Sequence, residues 1–311
     1  MTVILYGAIM TMESRCYSLF RIRNNFRWLI FPLAFMLVNV GILYFPDVSF
    51  ADDIVLDFGV YTADKPTSVV RQFRPILSVI EAELGRALDK TFEIRLQVST
   101  SYEGGIKDLV DGKVDFARFG PASYIEAKEA DPGISILAME SKKGGKRFSG
   151  IICVARDSPI QSVEDLRGKR FVFGNERSTI GRYLSQLLLL QHNIKASDLS
   201  AYDYLDRHDL VGTAVAVGSY DAGALKESTF KKLVAKGEPL RALVAFPNVT
   251  KPWIARSNLP ADIRQALSRT LLGLKDEKAL ASLAKDGFLP GSDNDYNIIR
   301  QAILKNPDFF K

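Results

Sequence analysis

Ser178 and Thr179 stand between an apolar strand and a helix, a placement that can do chemistry. Arg170 to Phe173 reads as a short strand, Gly174-Asn175 breaks it, and Gly181 to His192 carries Leu184, Leu187 and Leu188 at helical spacing. The first turn of a helix has N–H groups with no internal acceptor, and the helix dipole makes that end partly positive. Two hydroxyls beside those amides form a receptor for a small oxyanion such as phosphate, phosphonate or sulfate. The competing reading is a plain helix cap, a position that Ser and Thr favour. Neither reading is catalytic. No Ser–His–Asp or Cys–His spacing makes Ser178 a nucleophile. His192 and His208 are the only histidines, and no cluster has zinc-like spacing. No metal and no cofactor are expected, and the chain is not read as an enzyme.

The elements that must position this turn alternate along the chain. Strands are expected at Ile54–Tyr61, Phe92–Val98, Val114–Phe119 and Ile134–Met139, and helices at Val69–Leu88, Glu103–Val110 and Tyr124–Ala130. Pro75 should perturb the first half of the Val69–Leu88 helix unless it lies in the first turn. This order argues for a mostly parallel sheet flanked by helices, with ligand off the carboxyl ends of the strands. The loops after Tyr61, Val98, Phe119, Phe173 and Asp221 therefore matter most. A second unit runs from Phe148 to Phe246. Gly112-Lys113-Val114-Asp115 in the first unit is echoed by Gly218-Ser219-Tyr220-Asp221 in the second, each ending a helix and starting a strand. The helical tail, Asp262 to Lys311, has no sheet of its own and packs most simply on the first unit. The expected lobes are 52–144 plus 248–311 and 145–247, with crossings near 141–149 and 246–252.

The bulk composition is globular: 311 residues, 47% hydrophobic and 25% charged, with a net charge of +5. Arg15, Arg21, Arg23 and Arg27 against Glu13 and Asp47 place part of that excess in the first 51 residues. No Lys/Arg run is dense enough for nucleic acid. Trp28 to Phe45 is uncharged and mostly apolar, basic residues precede it, and Ser49-Phe50-Ala51 gives small residues around a cut after Ala51. This is a signal-peptide pattern, with an uncleaved anchor as the alternative. Either way residues 52–311 lie outside the cytoplasm. Cys16 and Cys153 are not expected to pair, and Cys153 reads as an inert core residue.

Four segments resemble the phosphate/phosphite/phosphonate-type periplasmic substrate-binding proteins of ABC importers. They are the G-x-V-D-x-A-x-x-G-P stretch from Gly112 to Pro121 and Asp157-Ser158-Pro159-Ile160 followed by Asp165-Leu166-x-Gly168-Lys169. The others are Ser178-Thr179-Ile180-Gly181, similar to the family's S-T-S-G motif, and His208-Asp209 ahead of the Ala214 to Ala222 stretch. The resemblance implies a type II periplasmic binding protein fold: two α/β lobes, a hinge and a ligand between them. It implies that Ser178 and Thr179 hold the oxyanion with the Ile180 amide, and that Tyr102 and His208 line the cleft. It departs at Ile180, where the family has a hydroxyl, and at Phe148, where a hydroxylated aromatic is common. Members that bind aminophosphonates have carboxylates near the amine, whereas Lys226 and Lys251 stand in the matching regions and suit an anion. Tyr61, Phe148 and Lys226 complete the expected ligand-binding set. The implied function is capture of a small phosphorus oxyanion for an ABC permease by a periplasmic monomer. Alternatives are a binding protein that feeds a sensor kinase, one for another ligand such as a sulfonate or pyrimidine, and, further off, an enzyme on the same scaffold.

Overall fold

The computed structural model describes residues 53–61 and 66–311. The signal segment, its cut after Ala51, Cys16 and the loop after Tyr61 lie outside the described residues. Two mixed sheets organise the chain. In the first half come β1 (Ile54–Tyr61), α1 (Pro66–Leu88), β2 (Phe92–Ser99), α2 (Tyr102–Val110), β3 (Phe116–Arg118), α3 (Pro121–Ala130) and β4 (Ser135–Ser141). The chain then crosses over to β5 (Arg147–Ala155), β6 (Arg170–Phe173), a π-helical turn (Thr179–Leu184), α4 (Ser185–Gln191), β7 (Ala201–Tyr204), α5 (His208–Ala216), β8 (Ala222–Lys226), α6 (Glu227–Ala235) and β9 (Leu240–Val249). It returns as β10 (Pro252–Ala255), α7 (Ala261–Gly273), α8 (Glu277–Ser282), β11 (Gly287–Leu289) and α9 (Asn297–Lys305).

The sheet orders are β11-β4-β10-β3-β1-β2 and β7-β6-β8-β5-β9. In the first sheet β1 to β4 run parallel, and β10 inserts antiparallel between β3 and β4. In the second only β5 runs against its neighbours. The chain passes between the sheets at 142–146 and 250–251.

The echoed G-x-x-D turns do the same mechanical job in each sheet. Gly112 and Gly218 sit at positive φ, +74° and +76°, which a glycine adopts without Cβ strain. The Asp115 carboxylate accepts the Asp57 amide at 2.7 Å and pairs with Arg256. The Asp221 carboxylate accepts the Arg170 amide at 2.8 Å and pairs with the Arg170 guanidinium. Each aspartate thus ties the start of a strand to its neighbour, as expected for turn residues.

Several elements differ from the sequence reading. Pro75 lies well inside α1, yet the helix runs unbroken from Pro66 to Leu88; burial of Phe73, Ile76, Leu77, Ile80 and Leu84 outweighs the lost amide. Trp253 lies in β10. It is fully buried in the centre of the first sheet, its ring stacked on Phe58 at 4.7 Å. Pro252 opens β10, where a strand tolerates a missing donor, and a four-residue strand has little pattern to read. The tail also divides. α7 and α8 cover α1, whereas α9 and residues 306–310 reach α3, the π-helical turn and α4. There Phe309 packs edge-on against Phe173, and Arg182 donates to Asn306 at 2.7 Å. These last residues therefore do not sit on the first unit alone.

Candidate functional site

The site begins with two glycines. β6, between β7 and β8 in the second sheet, ends at Phe173, and the Gly174 amide donates to the Gly181 carbonyl at 2.8 Å. A Cβ on Gly181 would lie 2.6 Å from Gly174 Cα, so the strand end and the π-helical turn meet backbone to backbone. Gly181→Ala must push them apart. Overpacking of this kind costs about 1–3 kcal/mol, which at this size is a Tm lower by roughly 2–12 °C. Calorimetry should show that loss, while Gly273→Ala, with open space around its Cβ, should show none.

The close approach sets the turn's polar atoms. Ser178 Oγ accepts the Gly181 amide at 3.0 Å, so Ser178 is indeed a cap. It also lies beside the Tyr102 phenol. Thr179 Oγ1 accepts the Ala122 amide, from the first turn of α3, at 2.9 Å. Each hydroxyl thus accepts from a backbone amide, and the O–H hydrogen remains able to donate to an anion. The amides of Thr179 and Ile180 open the helix and have no intrahelical acceptor. The Ile180 side chain is buried in the core, so only its backbone can serve the site. The missing hydroxyl at that position is a packing residue here.

Tyr61 closes the opposite wall. Its hydroxyl accepts the Gly120 amide at 2.7 Å and shares a 2.8 Å bond with Ser123. Its ring lies 4.3 Å from that of Tyr102. Burial pushes the Tyr61 hydroxyl well above its ordinary pKa, so it stays a neutral donor and acceptor. Tyr102, expected in a loop, is the first residue of α2, behind a Ser101 cap that accepts the Gly104 amide.

All eight expected ligand-binding residues (Tyr61, Tyr102, Phe148, Ser178, Thr179, Ile180, His208 and Lys226) line one cavity of about 910 Å³. Asn248, Lys251, Arg177 and Asp206 line it too. The sequence reading noted Lys251 for its charge without placing it in the site. The usable signal was the second crossing, because a segment passing between two lobes must border the space between them.

The electrostatics are uneven. His208 opens α5. Burial first, then the nearby Lys226 and Lys251 charges, push its pKa down to about 3, so the ring is neutral and its buried Nδ1 has no partner. Burial, with repulsion from Arg118 and Lys285, lowers Lys226 to about 8. Burial and the Arg118 and Lys226 charges hold Lys251 well below the ordinary lysine value. Phe148 lies 6.0 Å from both the Lys142 and Lys226 ammonium groups, so its ring serves cations rather than donating a hydrogen bond. Behind them Glu140, fully buried, binds Arg118 Nε at 2.5 Å and Lys285 Nζ at 2.7 Å. Cys153 is buried in β5, with its thiol pushed up to about 12 by burial, an inert core position. Among the described residues no His/Cys/Asp/Glu group could hold a metal, and no helix is long and apolar enough to cross a membrane.

Comparison with known proteins places this geometry. The model of a family described as "ABC transporter, phosphonate, periplasmic substrate-binding protein" matches residues 58–296. The phosphonates-binding periplasmic protein of Escherichia coli (strain K12) is 28% identical over 291 residues, 89% of this chain and 84% of that protein. The probable ABC transporter phosphite binding protein PhnD1 of Prochlorococcus marinus (strain MIT 9301) is 22% identical, over 78% of this chain and 84% of its own. The solved structure of PhnD1 with methylphosphonate superposes with a TM-score of 0.68 at 21% identity, covering 81% of this chain and 97% of that one. The two mixed sheets are thus those of the type II periplasmic binding protein fold. With most of the chain matched to the family, this protein belongs to the phosphonate-type periplasmic substrate-binding proteins of ABC transporters.

Proposed function

We propose that this protein captures a small phosphorus oxyanion in the cleft and delivers it to an ABC permease. The observation that carries this reading is the pair of hydroxyls at Ser178 and Thr179. Both accept from backbone amides, so both can donate to an oxyanion that also meets the open first-turn amides of Thr179 and Ile180. Tyr102 and neutral His208 would add donors, and Lys226 would add charge. Named relatives that bind phosphonate or phosphite support the ligand class. The protein would work by binding, not catalysis, as an exported monomer whose leader is cut after Ala51. Halves formed by residues 52–144 with 248–296, and by 145–247, would close about the two crossings. Segment 297–311 would move with the second half, against which its Phe309 and Asn306 pack.

A thermal-shift panel tests this with phosphate, phosphite, methylphosphonate, 2-aminoethylphosphonate, sulfate and a pyrimidine. A ligand at about 1,000 times its Kd stabilises by about 4 kcal/mol, on the order of 8–16 °C at this size. A shift of that size from a phosphorus oxyanion is the expected result. A flat response to every phosphorus oxyanion, or a larger shift from sulfate or the pyrimidine, would reject it.

A further inference from the structure

The Ser178–Thr179 turn follows β6 of the second sheet, yet its side chains reach helices of the first half. Thr179 Oγ1 accepts the Ala122 amide of α3 at 2.9 Å, and Ser178 lies beside Tyr102 of α2. Arg177, one residue earlier, reaches the same two helices. Its Nη1 donates to Glu126 Oε2 at 3.0 Å, and its Nη2 lies 3.6 Å from Glu103 Oε2. The other Glu126 oxygen accepts from the Tyr183 hydroxyl at 3.3 Å. Both oxygens of this α3 carboxylate are thus held by the stretch from Arg177 to Tyr183. The two ion pairs are unequal. The Glu126 side chain is 20% exposed and that of Glu103 76%, so the pair with Glu126 is the less screened by water. The base of Arg177 is fixed as well. Its amide donates to Asn175 Oδ1 at 2.8 Å, and the Ser178 amide donates to the Asn175 carbonyl at 2.9 Å.

Two carboxylates beside an anion site would ordinarily oppose binding. Glu103 lines the cavity with Ser178 and Thr179, and Glu126 is one hydrogen bond behind Arg177, which lines it too. Like charge repels an incoming anion unless it is neutralised or used elsewhere. Here it is used to fasten one half of the chain to the other. We infer that Arg177 is a positioning residue for ligand capture: with Glu126, and more weakly with Glu103, it clasps α3 and α2 onto the Ser178–Thr179 turn. A bound phosphonate is then retained in part by a contact that it does not touch. The competing role, direct contact between the guanidinium and the anion, makes the opposite prediction for the glutamates. There each carboxylate only competes for Arg177, and its removal favours the anion. The clasp rests on the phosphorus-oxyanion reading above and on closure of the two halves, and it names a contact that holds them closed.

Calorimetric titration of the purified protein with methylphosphonate, phosphite and phosphate tests it. Glu126→Gln removes a negative charge near an anion and keeps the side chain's shape. It is nevertheless expected to weaken binding on the order of 3–30-fold, as Arg177→Gln does, through faster release of the ligand. The charge exchange Arg177→Glu plus Glu126→Arg should recover most of the affinity that either reversal alone loses. Glu83→Gln, which breaks an ion pair with Arg86 on α1, should leave affinity unchanged. Ligand-free Tm of the two glutamine variants should stay within about 3 °C of the wild type, which separates lost retention from lost folding. If Arg177→Gln weakens binding while Glu126→Gln binds as tightly as the wild type or more so, Arg177 is a direct anion contact. That result would overturn this inference and leave the oxyanion reading standing. A ligand-free Tm loss large enough to account for the lost affinity, or no recovery in the charge exchange, would overturn it as well. A wild type that binds none of the three anions would overturn both.

Discussion

Replacing Ser178 and Thr179 together with alanine is expected to weaken phosphonate binding by about two to four orders of magnitude. Each hydroxyl would donate a hydrogen bond to a charged acceptor, worth about 1.5–3 kcal/mol, and two such bonds give that range. The effect on the fold is smaller and has a separate cause. Loss of the Ser178 cap to the Gly181 amide costs about 1 kcal/mol. Loss of Thr179 Oγ1 strands the Ala122 amide in a buried position, a further ~1–3 kcal/mol. Titration at saturating protein, with Tm measured alongside, separates the two. Thr179→Ser keeps the hydroxyl and should restore most of the affinity lost in Thr179→Ala. If the double variant bound within about threefold of the wild type, Ser178 would be a cap and nothing more.

Removing the Glu140 carboxylate is the change expected to cost most stability. Glu140→Ala leaves Arg118 and Lys285 without their shared partner, with Lys226 and Lys251 close by. Breaking a buried ion pair from one side costs about 3–5 kcal/mol, a Tm lower by roughly 6–20 °C at this size. The acid limb of the stability profile should change with it. Burial alone would raise the Glu140 pKa, but Arg118 and Lys285 override it and hold the group at about 2, below its ordinary 4.5. A carboxyl with a lowered folded pKa contributes stability above its unfolded pKa and loses that contribution as pH falls through the folded value. The wild type should therefore lose stability between about pH 4.5 and pH 2 more steeply than Glu140→Gln. Equal acid limbs, or a Tm change under about 3 °C in Glu140→Ala, would mean that water already screens the cluster.

The strands and helices with strong periodicity were legible because burial on one face leaves a period in the chain. The Phe92 to Val98 alternation and the apolar stripe of α1 are of this kind. Short or interrupted elements were not. β10 and β11 have four and three residues and owe their place to neighbours distant in sequence. Pro75 obeyed tertiary packing over local preference. The π-helical form of the first turn at Thr179 also has no sequence period to betray it.

The sequence by itself determined the turn from Gly174 to Gly181, because a strand, a break, two hydroxyls and a helix are local features. It also determined the two-unit α/β order, through the alternation of elements and the paired G-x-x-D turns. Only the tertiary structure decided what those hydroxyls touch. Thr179 meets Ala122 from 57 residues away, and Ser178 meets Tyr102 across the cleft. It alone brought Arg118 and Lys285 onto the Glu140 carboxylate, within the electrostatic reach of Lys226 and Lys251. Charges far apart in the chain acquire a shared field only when folding brings them together and excludes water between them.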